Sequence, residues 1–146
     1  MIPRINEYDK LYNNFNFKIP EFYNIASYTV DRVLYNNRTA LFNILNNGKI
    51  EKWSFLNIKR SANKLANAFD HLNLEHNARV GIILGQCQET AISNMACFKS
   101  GRISIPLFNL FGKDALFYRL KNSNASLVIC DRIGLLKIQE VFHKLP

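Results

Sequence analysis

The order of apolar and polar positions divides the chain into alternating elements. Residues 1–21 show little periodicity, carry Asn13-Asn14 and are punctuated by Pro3 and Pro20, so they are expected to form an extended N-terminal arm. From Phe22 to Tyr35 the spacing of Ile25, Tyr28, Val33 and Leu34 predicts a short amphipathic helix. Thr39 to Leu45 and Lys49 to Phe55 are strand-like and flank Asn46-Asn47-Gly48. An Asn-Gly pair between two such runs signals a hairpin, because both residues adopt positive φ readily. Ser54 is placed to cap the next helix. There Ile58, Ala62, Leu65, Ala66, Phe69 and Leu72 share one face, opposite Lys59, Arg60, Asn63, Lys64 and Asn67.

Beyond a loop at 73–77 the pattern changes to short apolar runs separated by helical periods. Val80-Gly81-Ile82-Ile83-Leu84 has the unbroken apolar character of a buried parallel strand. Glu89 to Phe98 reads as a helix through Ile92, Met95 and Ala96, with Gly101 as its stop. Ile103 to Leu107 is a second strand whose Pro106 argues for an edge or a bulge. A helix over 113–122, a strand Leu127-Val128-Ile129-Cys130 and a core-facing helix from Ile133 to Phe142 complete the series. Alternation of this kind predicts an α/β fold: a mainly parallel sheet with flanking helices, right-handed crossovers and an antiparallel β-hairpin near the front. No repeat at a solenoid period is present. The 146 residues are thus expected to be the arm, 1–21, followed by one α/β unit, 22–146.

Composition narrows the class without naming an activity. Hydrophobic residues make up 48% and charged residues 21%, close to a globular average, which argues against wholesale disorder. No apolar run approaches the ~18 residues of a membrane helix, and no secretory leader follows Met1, so a soluble, cytoplasmic protein is expected. The net charge of +8 invites a nucleic-acid reading. The basic residues are spread from Arg4 to Lys144 without a dense run, however, and Asn outnumbers Leu, a bias that fits drift toward AT-rich codons.

Candidate chemistry is sparse. Cys87, Cys97 and Cys130 match no zinc spacing and sit among apolar neighbours, as small buried hydrophobes do. His71, His76 and His143 are isolated, and the first two flank a helix end suited to a solvated or capping histidine. No Gly-x-Ser-x-Gly elbow is present. Gly81 and Gly85 bracket a strand without completing Gly-x-Gly-x-x-Gly, and no phosphate loop with its lysine is found. Asp131 ends a strand, where α/β enzymes place functional groups, but one carboxylate alone is weak evidence and a turn or helix-capping aspartate is the favoured reading. From these residues alone, catalytic, cofactor-binding and metal sites are all assigned as none.

The order of segments carries more. Phe22-Tyr23-Asn24-Ile25-Ala26 is followed by Trp53-Ser54-Phe55 and Asn63-Lys64-Leu65-Ala66-Asn67-Ala68-Phe69, and then by Ala78-Arg79-Val80-Gly81-Ile82-Ile83-Leu84. Next comes Lys99-Ser100-Gly101-Arg102 leading into Ile103-Ser104-Ile105-Pro106-Leu107, and finally Phe111-Gly112-Lys113-Asp114-Ala115-Leu116-Phe117-Tyr118-Arg119-Leu120. This series resembles the N-terminal part of the ATP-dependent AMP-binding (adenylate-forming) enzymes, in the branch of acetyl-CoA and medium-chain acyl-CoA synthetases. The resemblance implies ligases that use ATP and magnesium to form an acyl-adenylate and then transfer the acyl group to coenzyme A. In the family's order the phosphate loop, the adenine contacts, the hinge and the catalytic lysine lie past Pro146. The resemblance therefore implies a truncated subdomain that is inactive alone and binds neither ATP, Mg nor CoA by itself. Departures inside the matched region are Asn57 at the capping-box glutamate, Asn77-Ala78 at a glycine-aspartate turn, and Gly85 at a proline. The partner expected on this reading is a separately encoded remainder of the same enzyme, with no membrane and no nucleic acid. The alternative is a basic binding module for RNA or another acidic partner.

Overall fold

The computed structural model describes residues 6–33, 35 and 37–145. Its frame is set by a three-stranded parallel sheet. Strand β3 (Arg79–Leu84) lies between β4 (Ile103–Phe108) and β5 (Leu127–Cys130), giving the order β4-β3-β5. β3 is central because it is apolar on both faces. Val80 and Ile82 point toward α2 (Phe55–His71) and α3 (Gln88–Lys99), where they meet Ala62, Ala66, Phe69, Ala96 and Cys97. Ile83 points the other way, into a second core with Leu107, with Leu116 and Leu120 of α4 (Lys113–Ser123) and with Ile138 of α5 (Arg132–Gln139). The path from β3 through α3 to β4 runs in one direction on one face. The path from β4 through α4 to β5 reverses both direction and face, which keeps the two crossovers of one hand.

The antiparallel hairpin is separate from this sheet. It pairs β1 (Thr39–Ile44) with β2 (Ile50–Ser54). The sequence reading of its turn needs one correction. Only Gly48 takes a positive φ, +79°, while Leu45 accepts from Gly48 N at 2.8 Å and Leu45 N donates to Lys49 O at 2.9 Å. This is a three-residue connection, 46–48, closed by a left-handed glycine. Asn47 instead accepts from Lys49 N at 3.0 Å through its side chain, a local bond that replaces the left-handed role expected of it.

Four other expectations are revised. Inside the arm read as extended, Tyr8–Asn14 forms a helix, α1, held by local contacts: Lys10 bonds Glu7 at 2.9 Å, Asn14 bonds Lys10 O, and Tyr8 stacks on Tyr12. The helix expected over 22–35 contracts to a wide π turn, Ser27–Asp31. Asn24 starts it by accepting from Ser27 N, and Lys99 draws in Asp31 at its end. Leu34, part of that prediction, lies outside the described residues. Leu72 leaves the core because α2 stops at His71 and Asn73 takes φ +53°; Leu74 packs against the core instead. α5 ends at Gln139, and of its residues only Gly134 and Ile138 are buried, so Ile133, Leu135 and Leu136 face outward.

Two caps match their predicted roles. Ser54 accepts from Asn57 N at 3.1 Å, and Asp131 accepts from Gly134 N at 2.7 Å. Asp131→Ala is expected to lower the unfolding free energy by about 1 kcal/mol, read from the shift of a urea midpoint.

Candidate functional site

β3 and β5 are neighbours whose following helices lie on opposite faces of the sheet, so their connections diverge beyond the carboxyl ends of the strands. A crevice at such a divergence is where open α/β sheets place ligands. Here the rim is built from Gly85, Gln86 and Cys87 after β3, Asn109 to Gly112 after β4, and Asp131 after β5. The Thr90 hydroxyl donates to Gly85 O at 2.6 Å and lies 3.5 Å from Cys87 Sγ. Lys137 reaches across from α5 and donates to Asn109 O at 2.7 Å and Phe111 O at 3.1 Å, fixing the second loop. Above it, Arg119 stacks 4.1 Å over the Phe111 ring, and Phe108 meets that ring edge-on. Gly134 lets α5 sit close: a Cβ there would lie 2.9 Å from Cys130 Cβ and 3.2 Å from Ile83 Cγ2. Gly134→Val is therefore expected to cost about 1–3 kcal/mol as overpacking, measured by thermal unfolding.

The rim is tied by hydrogen bonds but carries little reactive chemistry. Burial, reinforced by the neighbouring Asp131 carboxylate, raises the Cys130 thiol above its ordinary value, which disfavours the thiolate a nucleophile needs. Cys97 lies in the core, and burial pushes its thiol up to about 11. Well below pH 9 it is protonated in both native and unfolded chains. Between about 9 and 11 the unfolded chain loses that proton first, so Cys97 contributes a fall in stability as pH rises through this window. Native Cys97 is expected to resist a thiol reagent at neutral pH that labels all three cysteines in urea.

His71, His76 and His143 are all exposed and lie in three different places. His71 is in the last turn of α2, His76 lies against Gly101, and His143 is in a 3₁₀ turn, Phe142–Lys144. Among the described residues no three His, Cys, Asp or Glu side chains gather as a metal site would need. The Lys137 ammonium already serves two carbonyls, the α5 N-terminus is occupied by the anionic Asp131, and Gly85 O accepts the Thr90 hydroxyl.

The segment Lys99-Ser100-Gly101-Arg102 proves structural. Gly101 has φ +69°, and Arg102 N bonds Cys97 O at 2.8 Å, closing α3 with a left-handed glycine stop. Lys99 bonds Asp31 at 2.7 Å and Asn63 at 2.5 Å, joining the π turn to α2 and α3. Arg102 reaches Asp70 at 2.7 Å, Ser100 O at 3.1 Å and Leu74 O, pinning the loop between α2 and β3. Nothing in the local pattern reveals the roles of Lys99 and Arg102, because most of their partners lie 28 to 68 residues away.

The fold is that of solved acyl-CoA synthetases and CoA ligases. The family model for AMP-binding enzyme matches residues 31–146, and the chain belongs to that family. It is similar to the mitochondrial acyl-coenzyme A synthetase ACSM3 of Rattus norvegicus, at 28% identity over 134 residues, covering 86% of this chain and 23% of that protein. It is also similar to the acetyl-coenzyme A synthetase of Streptomyces coelicolor, at 30% identity over 109 residues, covering 73% of this chain and 17% of the other. Among solved structures, an acyl-CoA synthetase of Brucella canis superposes with a TM-score of 0.79 at 24% identity, over 85% of this chain and 23% of its own. An anthranilate CoA ligase, AuaEII, solved with anthranoyl-AMP, gives 0.79 at 25% identity, over 88% and 24%. The chain thus spans 17–24% of the length of these proteins.

Proposed function

We propose that these residues form the opening wall of the large domain of an ATP-dependent carboxylate–CoA ligase, and that by themselves they do not activate an acid. The supporting observation is the state of the sheet. β4 and β5 each pair with β3 alone, so among the described residues both outer edges of a parallel sheet are unpaired, in a unit that matches about a quarter of its relatives. Parallel sheets are ordinarily continued or covered. In this reading the wall holds the β3–α3 and β4–α4 loops in place, and the grip on ATP, the acyl pocket and coenzyme A transfer belong to segments outside the matched quarter. Those segments are expected to pack against the open sheet. A cytoplasmic setting is part of the proposal, and three free cysteines fit a reducing compartment.

ATP–pyrophosphate exchange by the purified 146-residue chain, with short- and medium-chain acids, tests it. Exchange at the level of buffer is expected; turnover overturns the reading.

A further inference from the structure

The hairpin is patterned inside out. Cross-strand partners in an antiparallel pair share a face, so Asn43 and Glu51 lie together on one side with the pairs Leu41–Trp53. That side turns toward the body: Asn43 is buried, and Glu51, Leu41 and Trp53 are half-buried. The opposite side carries Phe42, Ile44 and Ile50 with Lys52, and these apolar residues are 61%, 70% and 55% exposed. A half-buried hairpin normally places polar residues outward. Here the apolar set meets water at the free end of a two-stranded ribbon whose residues 46–50 are all exposed.

The hairpin itself, 39–54, carries two basic residues, Lys49 and Lys52, and a single acidic one, Glu51, which lies on the other side of the ribbon; five further basic residues and no acidic one complete the stretch from Arg32 to Lys64 in the sequence. Asp31, just before, is engaged by Lys99 at 2.7 Å and Lys59 at 3.8 Å. Lys49 sits at the turn and Lys52 on the apolar face, its ammonium 5.8 Å from the Phe42 ring. A second copy of the chain would bring like charges together, so self-association through this face is opposed. Stacked RNA bases would need free aromatic platforms, whereas this face offers two branched aliphatics and one ring already engaged by a lysine.

We propose that the outer face of the hairpin is a docking surface for an anionic lipid bilayer, with Phe42, Ile44 and Ile50 entering the interface and Lys49 and Lys52 resting among acidic headgroups. A bilayer supplies negative charge and an apolar layer at adjacent depths, which this arrangement matches. The length of apolar runs bears on membrane-spanning helices and says nothing of contact at a membrane surface.

Flotation of the full chain with phosphatidylcholine vesicles containing about one-third phosphatidylserine tests it. Co-flotation is expected with these vesicles and not with phosphatidylcholine alone, and it should weaken as salt rises from about 0.1 to about 0.5 M. The triple substitution Phe42→Ser, Ile44→Ser, Ile50→Ser should weaken binding by about tenfold, as should the pair Lys49→Glu, Lys52→Glu. All five side chains are exposed, so the native circular dichroism and urea midpoint should persist, and the charge pair serves as the second arm if the triple variant fails to fold. No flotation with acidic vesicles, or flotation unchanged by both variants, overturns the proposal. Retention on polyuridylate or polyglutamate beads without vesicle binding assigns the surface to RNA or to an acidic protein, and overturns it equally.

Discussion

Phe69→Ala should lower the unfolding free energy by about 3–5 kcal/mol, the cost of an aromatic core truncation whose cavity cannot fully collapse. Phe69 is almost wholly buried and belongs to the core that joins α2, α3, β3 and β5. Three members of that core, Ala62, Ala66 and Ala96, have no side-chain rotamers with which to fill the space. Total stabilities of native domains are only about 5–15 kcal/mol, so the variant should stand near the edge of unfolding at room temperature. Urea titration followed by the single tryptophan, Trp53, measures this. A loss below about 1 kcal/mol would show that the α2 face does not hold this core together.

Arg102→Met carries the second large expectation, a loss of about 2–3 kcal/mol, because hydrogen bonds from a charged donor are removed and part-buried carbonyls lose their partners. The Arg102 side chain is 8% exposed while Asp70, its ion-pair partner, is 63% exposed. Asp70 is therefore rehydrated in the variant and contributes little to the loss. Leu74 O and Ser100 O bear the effect, since their donor disappears. Arg102→Lys should recover less than half of it, because one ammonium cannot reproduce a planar fork reaching three acceptors in different directions. The urea midpoint should fall with an unchanged slope, as expected when stability alone has moved. Full recovery by lysine would show that charge, and not the fork, holds the α2–β3 loop.

What the pattern along the chain revealed follows from the range of the forces involved. β3 announced itself because a strand buried on both faces must be apolar throughout, and α2 because one apolar stripe must face a core. Gly101 was legible as a stop because a left-handed residue ending a helix selects glycine. Ser54 and Asp131 declared their caps for a similarly local reason. The exposed fate of Leu72 was not legible, since the helical period cannot tell where Asn73 will break it. Nor was the π turn, because Lys99 and Phe98, which hold it, lie far along the chain. The rim was the least readable part. Lys137 looks like any helix-surface lysine until the fold delivers Asn109 and Phe111 to it. The Lys99–Arg102 segment could be noticed by its resemblance to a family, yet its work, a three-way tether and a pinned loop, depends wholly on tertiary partners.

The two flanks of the parallel sheet differ in a way that bears on how the protein is handled. β4 contains Pro106, which has no amide hydrogen to offer a further strand, whereas β5 is the uninterrupted Leu127-Val128-Ile129-Cys130. Proline on a flank acts as a gatekeeper against self-templated stacking of strands, and a short apolar strand without one invites it. Fibrillar growth in concentrated preparations should therefore begin on the β5 side, where a single inward-facing lysine or a proline would be the natural remedy.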